Sequence, residues 1–409
     1  MSKKMLILAR GDGRAFFDLQ GRSIVADLPV NVTVFVDKAN AHYFEGQGDH
    51  VETEVVRWSD LNDVARRAQA LHERTPLSAI ATLDEKTVDF AAELRERLGV
   101  PGLHTQDAAR YRDKMVMKQH VLAAGLRAPT FVRCDDQDTV QALLAQQGKL
   151  VIKPVDGLGS KGVVFVSTPD ELKAWFAAEE APEGFEAETY VEGVLYHVNA
   201  IVRDGQAVLT ASAPYAPGMA NIDFASGTPF VTVMLTQGAL KDKLEAFSAR
   251  AIKALKLRNG VTHLECFVTP DEDIVFCEMA VRPGGGGIVW MIESQYGVNY
   301  GRATLLLECG RGDLIRIPSP TREDVAGLVG FRCSQTGIVK RAASAQSFSE
   351  PWIKSVQVDV AEGQFVPPSS HCTDYVGLVV FSSRDESEFH QRRNALYQRF
   401  FDALELQAL

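Results

Sequence analysis

Two glutamates on a predicted β-hairpin are the residues whose spacing points most directly to chemistry. Glu265 lies in the apolar run 264–269, Glu278 lies in the apolar run 274–279, and the polar residues 270–273 separate the two runs. A turn centred on these four polar residues places the two carboxylates directly opposite each other, with Cβ atoms about 4.5–5.5 Å apart. Two negative charges at this distance repel unless a cation lies between them, and magnesium with bound phosphates prefers carboxylate oxygens. The hairpin therefore predicts a metal site; the alternative is a slipped register that turns one carboxylate to solvent.

The neighbours of the two glutamates favour the metal interpretation. His263 shares the face of Glu265, and Arg282 and the glycine run 284–287 follow Glu278 closely. A cation, two acids and exposed backbone amides form a suitable environment for a polyphosphate. The sequence thus predicts that this hairpin forms one wall of a phosphate-binding site.

A lysine and a glycine-rich loop earlier in the chain are further candidates for phosphate contacts. Lys153 ends the apolar strand predicted at 149–153, and a buried ammonium needs a partner such as a phosphate. The glycine-rich loop 156–162 follows, and then a second strand at 163–166. Strand, loop and strand form a hairpin, whereas a Walker P-loop runs from a strand into a helix. The alternatives without phosphate binding are that Lys153 is half-exposed to solvent and that the loop is only flexible.

A second lysine, Lys114, lies in a helix predicted at 111–124, which ends at Gly125. It is a candidate phosphate contact, although a helix lysine is more often simply solvated. Cys134, Cys266, Cys277, Cys309, Cys333 and Cys372 form no CxxC pair, so reduced thiols are expected and a zinc site is not. No GxSxG elbow is present, which argues against a Ser-His-Asp hydrolase.

The first 110 residues must form the elements that support one side of such a site. Strand and helix patterns alternate there, which predicts a parallel sheet with crossover helices. The predicted strands are 5–8, 32–36 and 78–82, and the predicted helices are 61–71 and 88–98. The turn 10–13 follows the first strand, where open sheets place ligands, although it could equally be a plain connection.

From about residue 196 onwards, apolar alternation predicts further strands around the glutamate hairpin. The predicted strands are 198–202, 207–211, 230–234 and 376–381, and the predicted helices are 240–255, 289–307 and 386–404. Residues 214–228, Trp290 and the N-terminal domain are expected to supply the substrate pocket.

Length and composition limit the possible classes of protein. A chain of 409 residues is too long for one hydrophobic core, so several domains are expected. A net charge of -10 argues against a general nucleic-acid binder. No apolar stretch of about 18 residues exists, so no membrane span is expected. The N-terminal apolar run is too short for a signal peptide, which favours a cytoplasmic location.

The order of these motifs resembles that of the ATP-grasp superfamily, and the resemblance covers most of the chain. Members place a helix lysine, a strand lysine, a glycine-rich hairpin, an adenine-binding hinge and two magnesium-binding acids in this order. The resemblance implies an α/β (α+β) protein with the ATP-grasp fold. It implies a parallel α/β domain at 1–110, a small lid subdomain with a preceding linker helix at 111–195, a catalytic subdomain with a large antiparallel sheet at 196–322, and a packed C-terminal extension at 323–409.

The same resemblance implies a set of nucleotide-binding residues. The phosphates of ATP would be contacted by Lys114, Lys153, Gly159 and Ser160. The hinge at 188–193 matches the family pattern Glu-x-x-hydrophobic-x-Gly and would supply backbone groups to adenine. The residues implied around adenine and ribose are Glu188, Tyr190, Val191 and His197.

The resemblance also implies the metal and substrate residues. Glu265 and Glu278 would bind Mg²⁺, for which Mn²⁺ is an acceptable substitute. Arg282 would steady the acyl phosphate and the tetrahedral intermediate, together with the backbone of Gly285 and Gly286. The implied catalytic residues are Arg282, Glu278 and Lys153.

Two positions depart from the family pattern. Ala280 stands where the family often has an asparagine that coordinates metal, which leaves the number of metal ions open. Leu195 stands near the place of the acid that often holds the ribose. A nucleotide-binding protein without catalysis is therefore one alternative function.

Cys277 and Glu278, with the run from Arg282 to Gly286, resemble the L-amino-acid ligases that make dipeptides. This similarity implies two small-molecule substrates, a carboxylate and an amine, both of them amino acids. It implies no nucleic-acid or membrane partner, and a homodimer is compatible with it. A ligase that passes the acyl group to a thiol or a carrier protein is the second alternative.

Overall fold

The computed structural model describes residues 3–216, 227–318, 324–369 and 373–408. Most of the stretch 214–228 that was expected to contribute to the substrate pocket lies outside the described residues, as does Cys372. Among the described residues, no helix combines the length and the apolar character that crossing a bilayer requires.

The N-terminal sheet contains four parallel strands in the order β3-β2-β1-β4. Its strands are β1 (Lys4–Ala9), β2 (Asn31–Val36), β3 (Val51–Val55) and β4 (Leu77–Thr82), and its helices are α1 (Leu61–Arg74) and α2 (Val88–Leu98). All six residues of β1 are buried, as expected for a strand covered on both faces. The predicted parallel sheet is confirmed, although β3 was not among the predicted strands. Of the connections between its described strands, only the one from β3 to β4 contains an α-helix, α1; short 3-10 turns lie between β1, β2 and β3.

A short helix α3 (Thr105–Ala108) and the helix α4 (Lys114–Ala123) lead to a second, antiparallel sheet in the order β5-β8-β6-β7. Its strands are β5 (Phe131–Arg133), β6 (Leu150–Pro154), β7 (Val164–Val166) and β8 (Phe185–Thr189), and α5 (Gln137–Gln147) and α6 (Pro169–Ala178) complete it. The glycine-rich loop joins β6 to β7, which pair antiparallel. The predicted strand–loop–strand hairpin is confirmed.

The third sheet has the order β10-β9-β12-β13 and is antiparallel throughout. Its strands are β9 (Val194–Arg203), β10 (Gln206–Pro214), β12 (Gly260–Val268) and β13 (Ile274–Ala280). The helix α7 (Ala239–Ala254) packs against β10 and β9. This sheet contains the glutamate hairpin at its β12–β13 edge.

The C-terminal part of the chain shares a sheet and a hydrophobic core with the part before it. The fourth sheet, β11-β14-β18-β16, joins β11 (Phe230–Val233) to β14 (Val325–Phe331), β16 (Ile353–Val358) and β18 (Gly377–Ser383). A small sheet contains β15 (Gly337–Arg341), β17 (Phe365–Val366) and β19 (Glu405–Gln407), and α10 is Glu386–Ala403. One core cluster runs from Ile201 to Leu404. The three predicted boundaries between the four domains stay predictions.

The single helix predicted at 289–307 is wrong, because the structure contains two helices there. α8 (Ile288–Tyr296) ends at Gly297, which has a φ of 69° and donates its backbone N–H to the carbonyl of Glu293. α9 (Tyr300–Glu308) begins after Asn299, whose side chain accepts a hydrogen bond from the N–H of Arg302. The apolar periodicity continues across the break, which is why the sequence pattern did not reveal it.

Candidate active site

A cavity of about 930 Å³ lies where the N-terminal sheet, the second sheet, the third sheet and the C-terminal segment meet. Its wall includes most of the residues that were predicted from the sequence. These are Lys114, Lys153, Gly159, Ser160, Glu188, Tyr190, Val191, Glu265, Glu278, Arg282, Gly285 and Gly286. The structure therefore brings together residues from distant parts of the chain on the wall of one cavity.

Glu265 and Glu278 lie directly opposite each other on β12 and β13, as predicted, but for a reason that the sequence did not reveal. The pairing of Val268 with Ile274 leaves a five-residue loop instead of a four-residue turn. That register alone would place Cys277 opposite Glu265. A β-bulge at Cys277 adds one residue to β13, so that Glu278 replaces it opposite Glu265. The bulge is therefore what brings the two carboxylates to one face.

The electrostatic surroundings keep at least one of these carboxylates ionised. Burial raises the pKa of Glu278, but Lys114 and Lys153 more than offset this and lower it to about 2. The Nζ atom of Lys114 lies 3.0 Å from Glu278 Oε2. The hydroxyl of Tyr215 donates a hydrogen bond of 2.7 Å to Glu265 Oε1 and orients that side chain. Glu278 is thus anionic at neutral pH. Lys114 contacts the side chain of Glu278, and Tyr215 contacts that of Glu265.

Lys114 also holds the glycine-rich loop. Its ammonium donates a 2.6 Å hydrogen bond to the carbonyl of Gly157, and its backbone N–H binds the carbonyl of Val155. Within the loop, Gly159 and Ser160 have φ values of 64° and 61°, and the left-handed conformation is costly for a serine. Residues 157–161 of the loop line the cavity, as do Lys114 and Lys153.

Lys153 belongs to a buried cluster of four charges below the cavity. Its Nζ atom lies 2.6 Å from Glu188 Oε1, and the fully buried Lys118 contacts Glu188 Oε2 at 2.5 Å and Glu186 Oε1 at 2.7 Å. Burial opposes the charge of Lys153, but Glu188 outweighs it and raises the lysine pKa. Burial likewise raises the pKa of Glu186, whereas Lys118 and Lys153 hold that of Glu188 below its usual value despite burial. The side chain of Glu188 therefore faces the lysines, and only its backbone is left for the predicted contact with adenine.

The hinge after β8 contributes an aromatic face to the cavity. The ring of Tyr190 lies 5.9 Å from that of Phe165, and Lys149 Nζ lies 3.8 Å above its centre. Gly193 passes so close to β12 that a Cβ atom there would lie 2.6 Å from the carbonyl oxygen of Val268. The glycine of the hinge motif is thus required by the close approach of two backbones.

His197 does not lie where the sequence interpretation put it. It was predicted beside the ribose or phosphate, but it is fully buried and is not among the residues that line the cavity. Its ring nitrogens bond Thr232 Oγ1 and Asn199 Nδ2, each at 2.9 Å. Burial lowers its pKa well below the usual value, so the ring is neutral. The prediction of a direct nucleotide contact is wrong, because β9 turns this side chain beneath Tyr215 into the interior.

Arg282 is held in place by the N-terminal part of the chain. Its Nε atom and one terminal nitrogen lie 2.9 and 2.5 Å from Glu85 Oε2, and Arg112 contacts the other oxygen of Glu85 at 2.7 Å. Glu85 follows β4 directly. The contact fixes the guanidinium of Arg282 at the cavity wall.

The glycine run after Arg282 leaves no room for side chains at Gly284, Gly286 and Gly287, and within this run only Gly285 is open. A Cβ atom on Gly284 would lie 2.9 Å from Asn199 Oδ1 and 3.1 Å from His263 Nδ1. A Cβ atom on Gly285 would meet nothing within 4 Å, and this residue is exposed to the cavity. The backbone at Gly285 is therefore accessible to a bound molecule.

Comparison with known proteins shows what the chain is similar to. The model for the ATP-grasp domain matches residues 147–290. An L-arginine-specific L-amino acid ligase of Bacillus subtilis is 20% identical over 387 residues, which are 91% of this chain and 91% of that protein. An L-amino acid ligase structure from Bacillus licheniformis has a TM-score of 0.78 at 20% identity and covers 100% of both chains. An ADP complex of an N5-carboxyaminoimidazole ribonucleotide synthetase has a TM-score of 0.71 at 14% identity and covers 98% of both chains.

Residues 147–290 thus match the ATP-grasp domain. The fold of the whole chain is the ATP-grasp fold, and the chain is similar over most of its length to L-amino acid ligases. Relatives with different substrates match the same chain, so the family does not define the substrate.

The donor atoms of this ATP-grasp protein suit a hard divalent cation. The opposed carboxylates of Glu265 and Glu278 offer oxygen ligands, which magnesium prefers, and phosphate oxygens of a nucleotide can supply more. Across the described part of the chain, no group of three or more His, Cys, Asp or Glu side chains is placed to hold a metal ion. Ala280 lies opposite His263, at the position that often holds an asparagine in the family. Its methyl side chain adds no ligand. Two carboxylates plus a nucleotide is the ligand set that these residues fit.

Two residues of this site were missed at the level of sequence. Glu85 lies at the carboxyl end of a parallel strand, where ligand-facing residues of open sheets are expected, and that signal was available. Lys118 lies one helical turn after Lys114 and shares its face of α4. Its partners Glu186 and Glu188 lie about 70 residues further along the chain, so no local pattern could connect them.

Proposed function

We propose that this ATP-grasp protein activates a carboxylate with ATP as an acyl phosphate and joins it to an amine, releasing ADP and phosphate. The observation that carries the proposal is the opposition of Glu265 and Glu278 across β12 and β13, in a cavity that Lys114, Lys153 and Arg282 also line. Two acids and three cations on one wall suit a metal-bound triphosphate and little else of similar size.

In this proposal the nucleotide lies between the second and third sheets. Lys153 and Lys114 bind its phosphates, the glycine-rich loop with Gly159 and Ser160 covers them, and the backbone of the hinge binds adenine. The aromatic face formed by Tyr190 and Phe165 is a suitable wall for a base. Loop closure would exclude water from the transferring phosphoryl group.

Glu265 and Glu278 would hold Mg²⁺, or Mn²⁺ in its place. The ion, when bound, supplies positive charge that offsets the charge developing on the transferring phosphoryl group. The protein contributes orientation: Tyr215 fixes Glu265 and Lys114 fixes Glu278. Each contact uses one carboxylate oxygen, Oε1 of Glu265 or Oε2 of Glu278, and leaves the second oxygen of that glutamate for other partners.

Arg282 and the backbone of Gly285 and Gly286 would stabilise the oxygen of the acyl phosphate and of the tetrahedral intermediate. A fixed cation and backbone N–H groups aimed at a developing negative charge are an effective arrangement for acyl transfer. The amine then attacks the carbonyl carbon, the C–N bond forms, and phosphate leaves with the electrons of the C–O bond. Glu85 keeps Arg282 in position for this step.

Amino acids are the proposed substrates on both sides of the reaction. The support is the relationship to the L-arginine-specific L-amino acid ligase, which extends over 91% of both chains. A second candidate is ligation of a small carboxylate such as bicarbonate, favoured by a 28% identity over 254 residues to N5-carboxyaminoimidazole ribonucleotide synthase of Mycobacterium bovis. That match covers 58% of this chain and 56% of the relative.

A pairwise screen tests the proposal. The protein, ATP and Mg²⁺ are incubated with all pairs of amino acids, and in parallel with bicarbonate plus amines, and ADP release is measured. ADP release that needs two amino acids, with a dipeptide detected by mass spectrometry, is the expected result. Release with bicarbonate alone would favour the second candidate, and nucleotide binding without any ADP release would indicate a protein without catalysis.

A further inference from the structure

The buried cluster of Lys118, Lys153, Glu186 and Glu188 contains a lysine that has no assigned role. Lys118 is fully buried and, among the described residues, it is not part of the cavity wall, whereas Lys153 is. Both lysines share Glu188: Lys118 contacts its Oε2 atom at 2.5 Å and Lys153 contacts its Oε1 atom at 2.6 Å. Lys118 also contacts Glu186 at 2.7 Å, and Lys153 lies 3.9 Å from that residue.

Lys153 must change partner to bind a phosphate. Its Nζ atom is directed at Glu188, and a strong ion pair to a phosphate requires it to give up or share that contact. A buried carboxylate that loses its only cation is strongly unfavourable, because neither water nor another charge replaces the lost interaction. Without a second cation, Glu188 would therefore compete with ATP for Lys153.

We propose that Lys118 is a positioning residue for nucleotide binding, which keeps Glu188 neutralised while Lys153 turns from Glu188 to the triphosphate. The inference rests on the proposed function, because it requires a triphosphate in the cavity. Lys118 never touches the nucleotide in this scheme; it acts only through Glu188 on Lys153.

The helix α4 gives a geometric reason for this arrangement. Lys114 and Lys118 are four residues apart and lie on one face of the helix. Lys114 reaches Glu278 and the carbonyl of Gly157, while Lys118 points into the second sheet. The ring of Phe131 lies 4.6 Å from Lys118 Nζ and closes the space around it. One helix thus supplies a cavity lysine and an interior lysine at once.

The substitution Lys118→Met tests the proposal, because methionine fills the space without the charge. Binding of ATP with Mg²⁺ is measured by isothermal titration calorimetry, and folding is followed by thermal unfolding. The dissociation constant for ATP is expected to rise about tenfold or more, as Lys153 becomes the only cation for Glu188. The matched control is Lys243→Met, which removes an exposed lysine whose 2.6 Å pair with Glu272 lies on the surface. It should bind ATP like the wild type.

The double variant Lys118→Met/Glu188→Gln separates this role from a purely structural one. Glutamine keeps the shape and the backbone of the hinge but no longer holds Lys153 by charge, so the affinity for ATP should recover. A role of Lys118 in folding alone predicts no recovery from a second change in the same cluster. The single variant Glu188→Gln leaves Lys118 in place. It should bind ATP more tightly than the wild type, because glutamine does not hold Lys153 by charge.

The possible outcomes are distinguishable. Failure of the wild type to bind ATP would remove the proposed function itself. Wild-type binding with an unchanged affinity in Lys118→Met would overturn this inference alone. Loss of affinity in Lys118→Met without recovery in the double variant would also overturn it. If Lys118→Met does not fold, Glu188→Gln decides: weaker ATP binding than the wild type would overturn the inference.

Discussion

The substitution Glu85→Gln tests how the N-terminal part of the chain supports the active site. Glu85 is 9% exposed and lies between two guanidinium groups, those of Arg282 and Arg112. Glutamine has nearly the same shape but carries no charge and only one acceptor oxygen. The substitution therefore leaves two largely buried guanidinium groups facing one amide.

The expected cost can be worked out from the remaining contacts. Removing one partner of a buried ion pair costs about 3–5 kcal/mol of unfolding free energy. Arg112 keeps a 3.0 Å contact to Asp89 and a 2.7 Å bond to the carbonyl of Asp156, and glutamine keeps one acceptor. We therefore expect a smaller loss, about 2 kcal/mol. Arg282 keeps only a 2.9 Å bond to the carbonyl of Pro283 among its described hydrogen bonds, so its orientation is no longer fixed.

The catalytic effect should exceed the loss of stability. Loss of a fixed position for an oxyanion-stabilising group lowers kcat by about 10²-fold. KM for ATP should change little, because Glu85 does not contact the nucleotide phosphates in the proposed scheme. ADP release under saturating substrates gives kcat, and urea unfolding gives the stability. Asp89→Asn is the matched control, because it removes the other, 54% exposed, acidic partner of Arg112. That change should cost at most about 1 kcal/mol.

One result would refute this reasoning. If Glu85→Gln keeps wild-type kcat while its stability falls as expected, Arg282 does not need a fixed orientation, and its proposed role in acyl transfer is wrong. A loss of kcat in the Asp89→Asn control would instead point to a general disturbance of this contact region.

Further predictions concern the metal pair, the strand lysine and the glycine run. Glu278→Gln should abolish ADP release with the fold intact, and wild-type turnover in this variant would remove the metal assignment. With a chelator and no nucleotide, the wild type should lose more stability than Glu278→Gln as the pH falls from 4.5 towards 2, because a lowered carboxylate pKa stabilises the fold only while the group is ionised. Lys153→Ala should chiefly raise the dissociation constant for ATP, measured by calorimetry; an unchanged affinity would count against its role. Gly284→Ala should lower the unfolding free energy by about 1–3 kcal/mol, whereas Gly285→Ala should not; equal thermal stability of the two variants would contradict the packing described here.

Local patterns were sufficient for much of the fold. The strands β1, β2 and β4 and the helices α1 and α2 of the N-terminal part were all predicted, since apolar periodicity reports directly on burial; β3 was not, because only two of its five residues are even partly buried. The glutamate hairpin was predictable because its strands are joined by a short turn. Even there, the predicted four-residue turn was replaced by a five-residue loop, and only the bulge at Cys277 restored the opposition of the two glutamates.

Errors arose where one pattern is compatible with two structures. The helix at 289–307 was predicted as continuous, because the apolar period does not change where Gly297 ends α8. His197 was placed beside the nucleotide on the strength of its position after the hinge. A strand side chain can point to either face of its sheet. The side chain of His197 points into the interior, where Thr232 and Asn199 form hydrogen bonds with its two ring nitrogens.

The amino-acid sequence alone determined which side chains are candidates for binding a triphosphate and that the strands β6 and β7, and β12 and β13, form hairpins. The tertiary structure alone decided which charges are compensated, and by what. Glu85 meets Arg282 across 197 positions, and Lys118 meets Glu188 across 70. Burying a charge is favourable only when an opposite charge arrives from elsewhere in the fold, so the ionic supports of this cavity depend on contacts that no local pattern contains.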